Sequence, residues 1–321
     1  MLIRYFPRQH MPIRGVVYHY VRPANNSTLK YLSINDFKNQ IDYFQSNFGS
    51  IITKNQWEDA KKGHDINGVL LTFDDGFKDH HRYVLPLLKA QNLFGIFFIC
   101  SDPLIKKIGL QVHLVHYLLT LGHNEQIFKF IEQRIPRTIL EEIHKEPAIN
   151  AYKNRNDQKE EIVLKKLINY CRSSNNLVEV FNEVWSTFSN IHLDEFLNEW
   201  YMSNTEVIDL LNNGMDVGSH TCSHKLLSLQ SKSEILTELS ESKSSLENLT
   251  GSSISEFCYP FGGKLSYNEE VIGCVEKVGY RFAHDVAPRV MSRNDFKSRL
   301  TLPRFDCNLF PFGESFIFKS N

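Results

Sequence analysis

Seven short runs of apolar, β-branched and aromatic residues punctuate this chain, and they are apolar on both faces rather than alternating: 15–21, 68–73, 94–100, 215–220, 257–261, 280–286 and 300–305. Strands of that kind belong to parallel sheets covered by helices. Several of the connecting segments carry a helical pattern. Residues 34–48 present Ile34, Phe37, Ile41, Tyr43, Phe44 and Phe48, with Ser33 or Asn35 as a cap and Gly49 as a stop. Residues 80–91 repeat Val84, Leu87 and Leu88, residues 231–249 align Ile235, Leu239, Leu246 and Leu249 before Gly251, and residues 268–278 end at Gly279. Strand–helix alternation predicts an α/β fold with a parallel sheet, open or closed.

The middle of the chain breaks this rhythm. From residue 103 to residue 202 there is no convincing strand, and QVHLVHYLL, EQIFKFIEQ, EEIVLKKLINYC and LVEVFNEVWSTF all have helical patterns. A stretch of about a hundred residues is too long for a structureless loop, so a helical insertion between two strands is expected. The predicted organisation is a first half of the core over 1–102, a helical insertion over 103–202, and a second half over 203–321. With 321 residues a core forms without staples. The six cysteines are scattered, with no CxxC pair, and suit a reducing compartment. A net charge of −1 argues against a broad nucleic-acid or anionic-membrane footprint. No run approaches a membrane span, and the first residues lack the apolar stretch of a secretory signal, so a cytoplasmic location is expected.

Three motifs carry chemistry. In LLTFDDGFKD an apolar strand runs into Asp74 and Asp75, at the strand end where α/β folds place their sites. Adjacent carboxylates repel, and a cation or a shared proton relieves them. In GSHTCSHK, His220 and His224 are spaced i, i+4, which lets two imidazoles converge on one ion from a helical turn or a tight loop. Two imidazoles and one carboxylate fill part of a metal's shell, and the second carboxylate is then free to deprotonate water. In FCYPFGG a strand ends in an aromatic turn that can aim a backbone N–H at an oxyanion and offer Tyr259 or Phe261 as a wall for a sugar.

The order TFDDG, HTxxH and a YPFG-type turn resembles the polysaccharide deacetylase family, also called NodB-homology carbohydrate esterases, over residues 15–102 and 203–306. The opening VVYHYV and FKNQIDYF look similar to the start of many members. The resemblance implies a distorted (β/α) barrel, with the helical insertion outside the common core. It implies Asp74 as general base and Asp75, His220 and His224 as ligands of a divalent metal, zinc first and cobalt, nickel or manganese as alternatives. Tyr259, Pro260 and Phe261 would line the substrate, with the Phe261 N–H on the tetrahedral oxyanion.

This sequence departs from the family pattern twice. Where many members carry an Arg that orients the base, the aligned residue is Cys258; where many carry a late Leu-x-His proton donor, the segment is TLPRF with Arg304. Arginine is a poor proton donor, so Arg304 is expected to stabilise negative charge or hold an acidic sugar or phosphate. His19, near the end of the first strand, is the leading candidate for the missing acid, with His284 behind it. His80 and His81 are expected to face solvent, and His113 and His116 to form an ordinary helical pair. The expected function is metal-dependent removal of an N-acetyl group from a sugar in a glycan or glycan precursor. O-deacetylation, deformylation of a lipid-linked sugar and non-catalytic glycan binding are the alternatives. The expected partner is an acetylated sugar, with no nucleic acid and no transmembrane segment; the oligomeric state is left open.

Overall fold

All seven runs form strands in the computed structural model, which describes residues 13–24, 29–138, 141, 164, 175–263 and 265–313. In chain order the strands are β1 (Ile13–Tyr18), the short pair β2 (Val21–Arg22) and β3 (Leu32–Ser33), β4 (Gly68–Phe73), β5 (Gly95–Ile99), β6 (Asp216–Ser219), β7 (Glu256–Cys258), β8 (Phe282–His284) and β9 (Arg304–Asp306). Seven of them form one sheet in the order β8-β7-β6-β5-β4-β1-β9, and every neighbouring pair is parallel. The two edges come together where His284 bridges Leu302, with the Leu302 N–H donating to the Ala283 carbonyl at 2.8 Å. The sheet is thus a nearly closed barrel, the NodB-type arrangement that the motifs implied.

Side chains alternate across the barrel wall with the period of two that strands impose. Along β4, Val69, Leu71 and Phe73 pack outward against the helices. Leu70 packs inward with Ile96, Phe98, Cys258 and Phe282. Continuing the inward register through Thr72 brings Asp74 to the carboxyl-terminal mouth of the barrel. The interior is crowded: a Cβ on Gly15 would lie 2.7 Å from Met291 and 2.9 Å from the Arg304 side chain, so only glycine admits that arginine.

The described helices are α1 (Ile34–Asn47), α2 (Lys54–Lys61), α3 (Leu85–Ala90), α4 (Ser101–Ile105), α5 (Gln111–Thr120), α6 (Asn124–Glu132), α7 (Asn175–Phe188), α8 (Leu193–Trp200), α9 (Asn204–Asn212), α10 (Lys232–Thr250), α11 (Glu269–Val278) and α12 (Arg293–Ser298). Ser33 is the cap of α1, accepting the Asp36 N–H at 3.0 Å, and Gly251 and Gly279 end α10 and α11 in left-handed backbone. The helix expected over 80–91 is split into a π turn at His80–Val84 followed by α3. Helix α2 has only Trp57 and Ala60 as buried anchors, too few to show as a period in the sequence. From α5 to α8 the helices share an apolar cluster that also takes in Phe77, Cys100 and Tyr201. The segment EEIVLKKLINYC, apart from Leu164, lies outside the described residues.

Candidate functional site

Three loops at the barrel mouth bring the motif residues together. Asp75 and Gly76 both turn into left-handed backbone directly after β4, which aims the two carboxylates in different directions. After β6, His220 and His224 occupy a tight loop rather than a helix. Buried Glu238 on α10 fastens that loop, accepting the N–H groups of Cys222 and Ser223 at 3.0 Å each and the Ser223 hydroxyl at 2.6 Å. The Ser101 and Asp102 N–H groups hold the loop's carbonyls from the other side. Thr221, His224 and Phe261 join Asp75 in left-handed backbone, a clustering of strain that marks functional sites.

Asp75 Oδ1 lies 3.4 Å from His220 Nε2 and 3.4 Å from His224 Nε2. Ligand atoms of the three side chains fall within 4.8 Å of one another, all three residues are buried, and Asp75 Oδ1 has no hydrogen-bond partner. His220 Nδ1 sits 2.8 Å from the Cys258 carbonyl, which must accept a proton from it and so leaves Nε2 as the lone-pair nitrogen. A buried orphan oxygen facing two imidazole nitrogens is a donor set that fits a divalent cation.

Asp74 is held differently. Arg304, on the far strand β9, donates through Nη1 to Oδ1 and through Nη2 to Oδ2, both at 2.8 Å. The same guanidinium donates to the Asp285 carbonyl at 3.1 Å and the Thr72 hydroxyl at 2.9 Å. Burial by itself would raise the Asp74 carboxyl, but the Arg304 charge and its two hydrogen bonds prevail, with His220 and His19 adding to them, and hold it well below the usual carboxylate range. Arg304 is fully buried, so the expectation that it holds an acidic sugar or phosphate is corrected: its donors are spent inside the protein. The arginine that pairs with Asp74 thus comes from the last strand and not from the turn before Pro260. Cys258, at the vacated position, fits a thiol 3.3 Å from Asp74 Oδ2.

The remaining expectations separate. His19 is half-buried at the mouth and close enough to Asp74 to act on its charge; the buried His80 ring, against expectation not in solvent, contacts the His19 carbonyl at 2.5 Å. Burial pushes His80 down to about 4, so it is neutral. His284 is withdrawn inside the barrel, with Nε2 2.9 Å from Glu256 Oε2. Tyr259 is corrected from a sugar wall to a core residue: it is buried, stacks on Tyr267 at 4.2 Å and donates its hydroxyl to the Leu300 carbonyl at 2.9 Å. Phe261 keeps an exposed edge and packs against His224 at 4.7 Å between ring centroids, and Pro260 is buried beside it. Sequence reasoning missed His113. This side chain, on α5, is buried against Asp75, with Nε2 3.2 Å from Oδ2.

Residues 187–283 match the family model described as Polysaccharide deacetylase, a span that holds His220, His224 and the Tyr259–Phe261 turn. Among solved structures, the Streptococcus pyogenes deacetylase PplD in complex with acetate superposes with a TM-score of 0.55 at 14% identity, over 92% of each chain. A de-N-acetylase from Aggregatibacter actinomycetemcomitans gives 0.56 at 14% identity over 91% of this chain and 94% of that one. The BpsB deacetylase domain from Bordetella bronchiseptica gives 0.55 at 13% identity over 94% and 97%. At these identities the superpositions speak for the fold. No curated protein matches the chain by sequence. The fold is thus the barrel of solved deacetylases, and the residues gathered at its mouth include the histidines and the aromatic turn that fall within the family match. The sequence match to the polysaccharide deacetylase family is confined to residues 187–283, and over the rest of the chain the likeness to solved deacetylases is one of fold. Among the described residues no helix is long and apolar enough to cross a membrane.

Proposed function

We propose that this protein removes the acetyl group from the nitrogen of an acetylated amino sugar, in a glycan or glycan precursor. The reading rests on one observation: Asp75 Oδ1, buried and without a hydrogen-bond partner, faces two imidazole nitrogens beside a second carboxylate that an arginine keeps ionised. Asp75, His220 and His224 would hold a divalent cation, zinc first, with cobalt, nickel or manganese as alternatives. Such a cation supplies Lewis acidity, polarising a carbonyl oxygen and making water more acidic.

The chain's own residues do the rest. Asp74 accepts the proton of the attacking water, and the Arg304 fork fixes its carboxylate plane and keeps it free of a proton beforehand. The Phe261 N–H faces the tetrahedral oxyanion, and the rings of Phe261 and Pro260 exclude solvent. His19 returns a proton to the departing amine, which Arg304 is unfit to do. The described helices α5 to α8, which pack together around Phe77, Cys100 and Tyr201, would wall one side of the mouth.

Asp74→Asn tests the assignment. Acetate release from N-acetylated chito-oligosaccharides should fall at least about 1000-fold while metal content stays at the wild-type level. Turnover retained in Asp74→Asn refutes the base. Parallel assays of acetate from O-acetylated sugars and of formate from formylated ones separate this reading from its two enzymatic alternatives.

A further inference from the structure

The helical segment reaches the site through a side chain that the proposed chemistry leaves unused. His113 is buried, with Nε2 3.2 Å from Asp75 Oδ2 and Nδ1 2.7 Å from the Tyr201 hydroxyl. The Tyr201 oxygen also receives the Leu110 N–H at 3.1 Å. The Asp75 carboxylate can only accept, so His113 Nε2 carries the proton, Nδ1 is left to accept the Tyr201 O–H, and the Tyr201 oxygen takes the Leu110 N–H. A neutral imidazole that accepts at Nδ1 carries its proton on Nε2, and here that proton points at Asp75 Oδ2. The direction of the whole chain, from Leu110 through Tyr201 and His113 to Asp75, follows from these partners.

Two consequences meet at Asp75. Its Oδ2 is occupied by a donor, which leaves Oδ1 turned toward His220 and His224. His113 Nε2, bearing a proton, has no lone pair for a cation, so His113 stands behind the carboxylate rather than beside it as a ligand. The ring is also fixed by packing, 4.6 Å from Phe77 and 5.6 Å from Tyr201 between centroids. Tyr201 in turn is anchored to the acidic turn itself, through the Phe77–Tyr201 bridge and the Met202 N–H on the Gly76 carbonyl at 3.0 Å.

We propose that His113 and Tyr201 are positioning residues of the metal site, a hydrogen-bonded pair through which the helical segment holds the Asp75 carboxylate with one oxygen turned to the cation. The proposal rests on the reading of Asp75, His220 and His224 as the ligands. It makes the segment part of the catalytic apparatus and not only a wall.

The test uses the full chain, stripped by chelator and titrated with Zn2+ against a chromophoric competitor. His113→Phe should weaken Zn2+ binding by about 10–100-fold, as loss of a partner behind a metal ligand does. His113→Gln places an amide N–H near the Nε2 position and should bind within about threefold of wild type, and Tyr201→Phe, which frees the imidazole to take the other tautomer, should fall between. The visible spectrum of the Co2+-loaded protein should change in His113→Phe and revert in His113→Gln. If His113→Phe fails to fold by circular dichroism, the contrast between Tyr201→Phe and His113→Gln decides alone. Wild-type Zn2+ affinity in His113→Phe, or in Tyr201→Phe where that contrast decides, overturns the positioning role while leaving the metal reading intact. X-ray absorption that counts three imidazoles on the bound ion overturns it by making His113 a ligand. A wild-type protein that takes up no Zn2+ removes the metal reading, and this proposal with it.

Discussion

Replacing Arg304 with methionine isolates what the last strand contributes. Methionine keeps much of the aliphatic length, so the change removes the charge and the fork that hold Asp74, which is itself only 2% exposed. A buried carboxylate stripped of its partner costs about 3–5 kcal/mol, which for a domain of this size lowers Tm by roughly 10 °C. The pH dependence gives the cause away. In the wild type the Asp74 pKa is depressed, so the pair's contribution is fully present above the unfolded value of about 3.9 and is lost only as pH falls through the lower folded value. Without Arg304, burial becomes the dominant influence and raises the folded pKa above about 3.9, so the penalty is greatest at neutral pH and shrinks as acid supplies the missing proton. Urea unfolding of chelator-treated protein at about pH 7 and about pH 4.5 should show the gap between variant and wild type narrowing at the lower pH. Arg304→Met/Asp74→Asn, which removes the orphan charge, should be more stable than Arg304→Met alone. A loss below about 1 kcal/mol at neutral pH, or a double variant no more stable than the single one, refutes the idea that Arg304 serves chiefly to neutralise Asp74.

Three further outcomes follow from the same geometry. His19→Gln should slow release of acetate from an N-acetyl sugar by about 100-fold or more yet slow hydrolysis of an activated aryl acetate far less, because only the amine needs a returned proton; equal losses on both substrates refute the acid role. Glu256, which accepts from Trp57 at 2.7 Å, Lys61 at 2.9 Å and His284 at 2.9 Å, is pulled down to about 2 against the upward push of burial. Relative to about 4.3 unfolded, that contributes about 3 kcal/mol, present above the unfolded value and lost as pH falls toward 2, so acid unfolding of Glu256→Gln should begin from a lower plateau without a comparable loss in that window. Gly15→Ala drives a methyl into Met291 and Arg304; it should cost about 1–3 kcal/mol and reduce turnover together, and stability loss with full activity would show that Arg304 tolerates displacement.

The strands and the acidic and histidine motifs were legible because they are local: an apolar run, a DDG turn and an HxxxH spacing each lie within ten residues. What was not legible is made by register. Arg304 and Asp74 are 230 residues apart, and only the neighbouring of β1 with both β4 and β9 brings them together. His80 reads as exposed from its polar surroundings in KDHHRY, but the π turn rotates it inward while His81 stays outside with Asp209 at 2.9 Å. His113 and Tyr201 carry no motif, and each is named only by what it touches. Tyr259 was assigned to a wall because aromatic turns often line sugars; its ring takes the outward register of β7 and packs under the helices instead.

Because the guanidinium that pairs with Asp74 arrives on the strand that completes the sheet, synthesis must pass residue 304 before that carboxylate has its counter-charge. Until β9 docks beside β1, the emerging polypeptide holds an uncompensated anion in what will become its interior. Neutralisation of Asp74 and sealing of the barrel are therefore one event, and a chain that lacks β9 should lose both together.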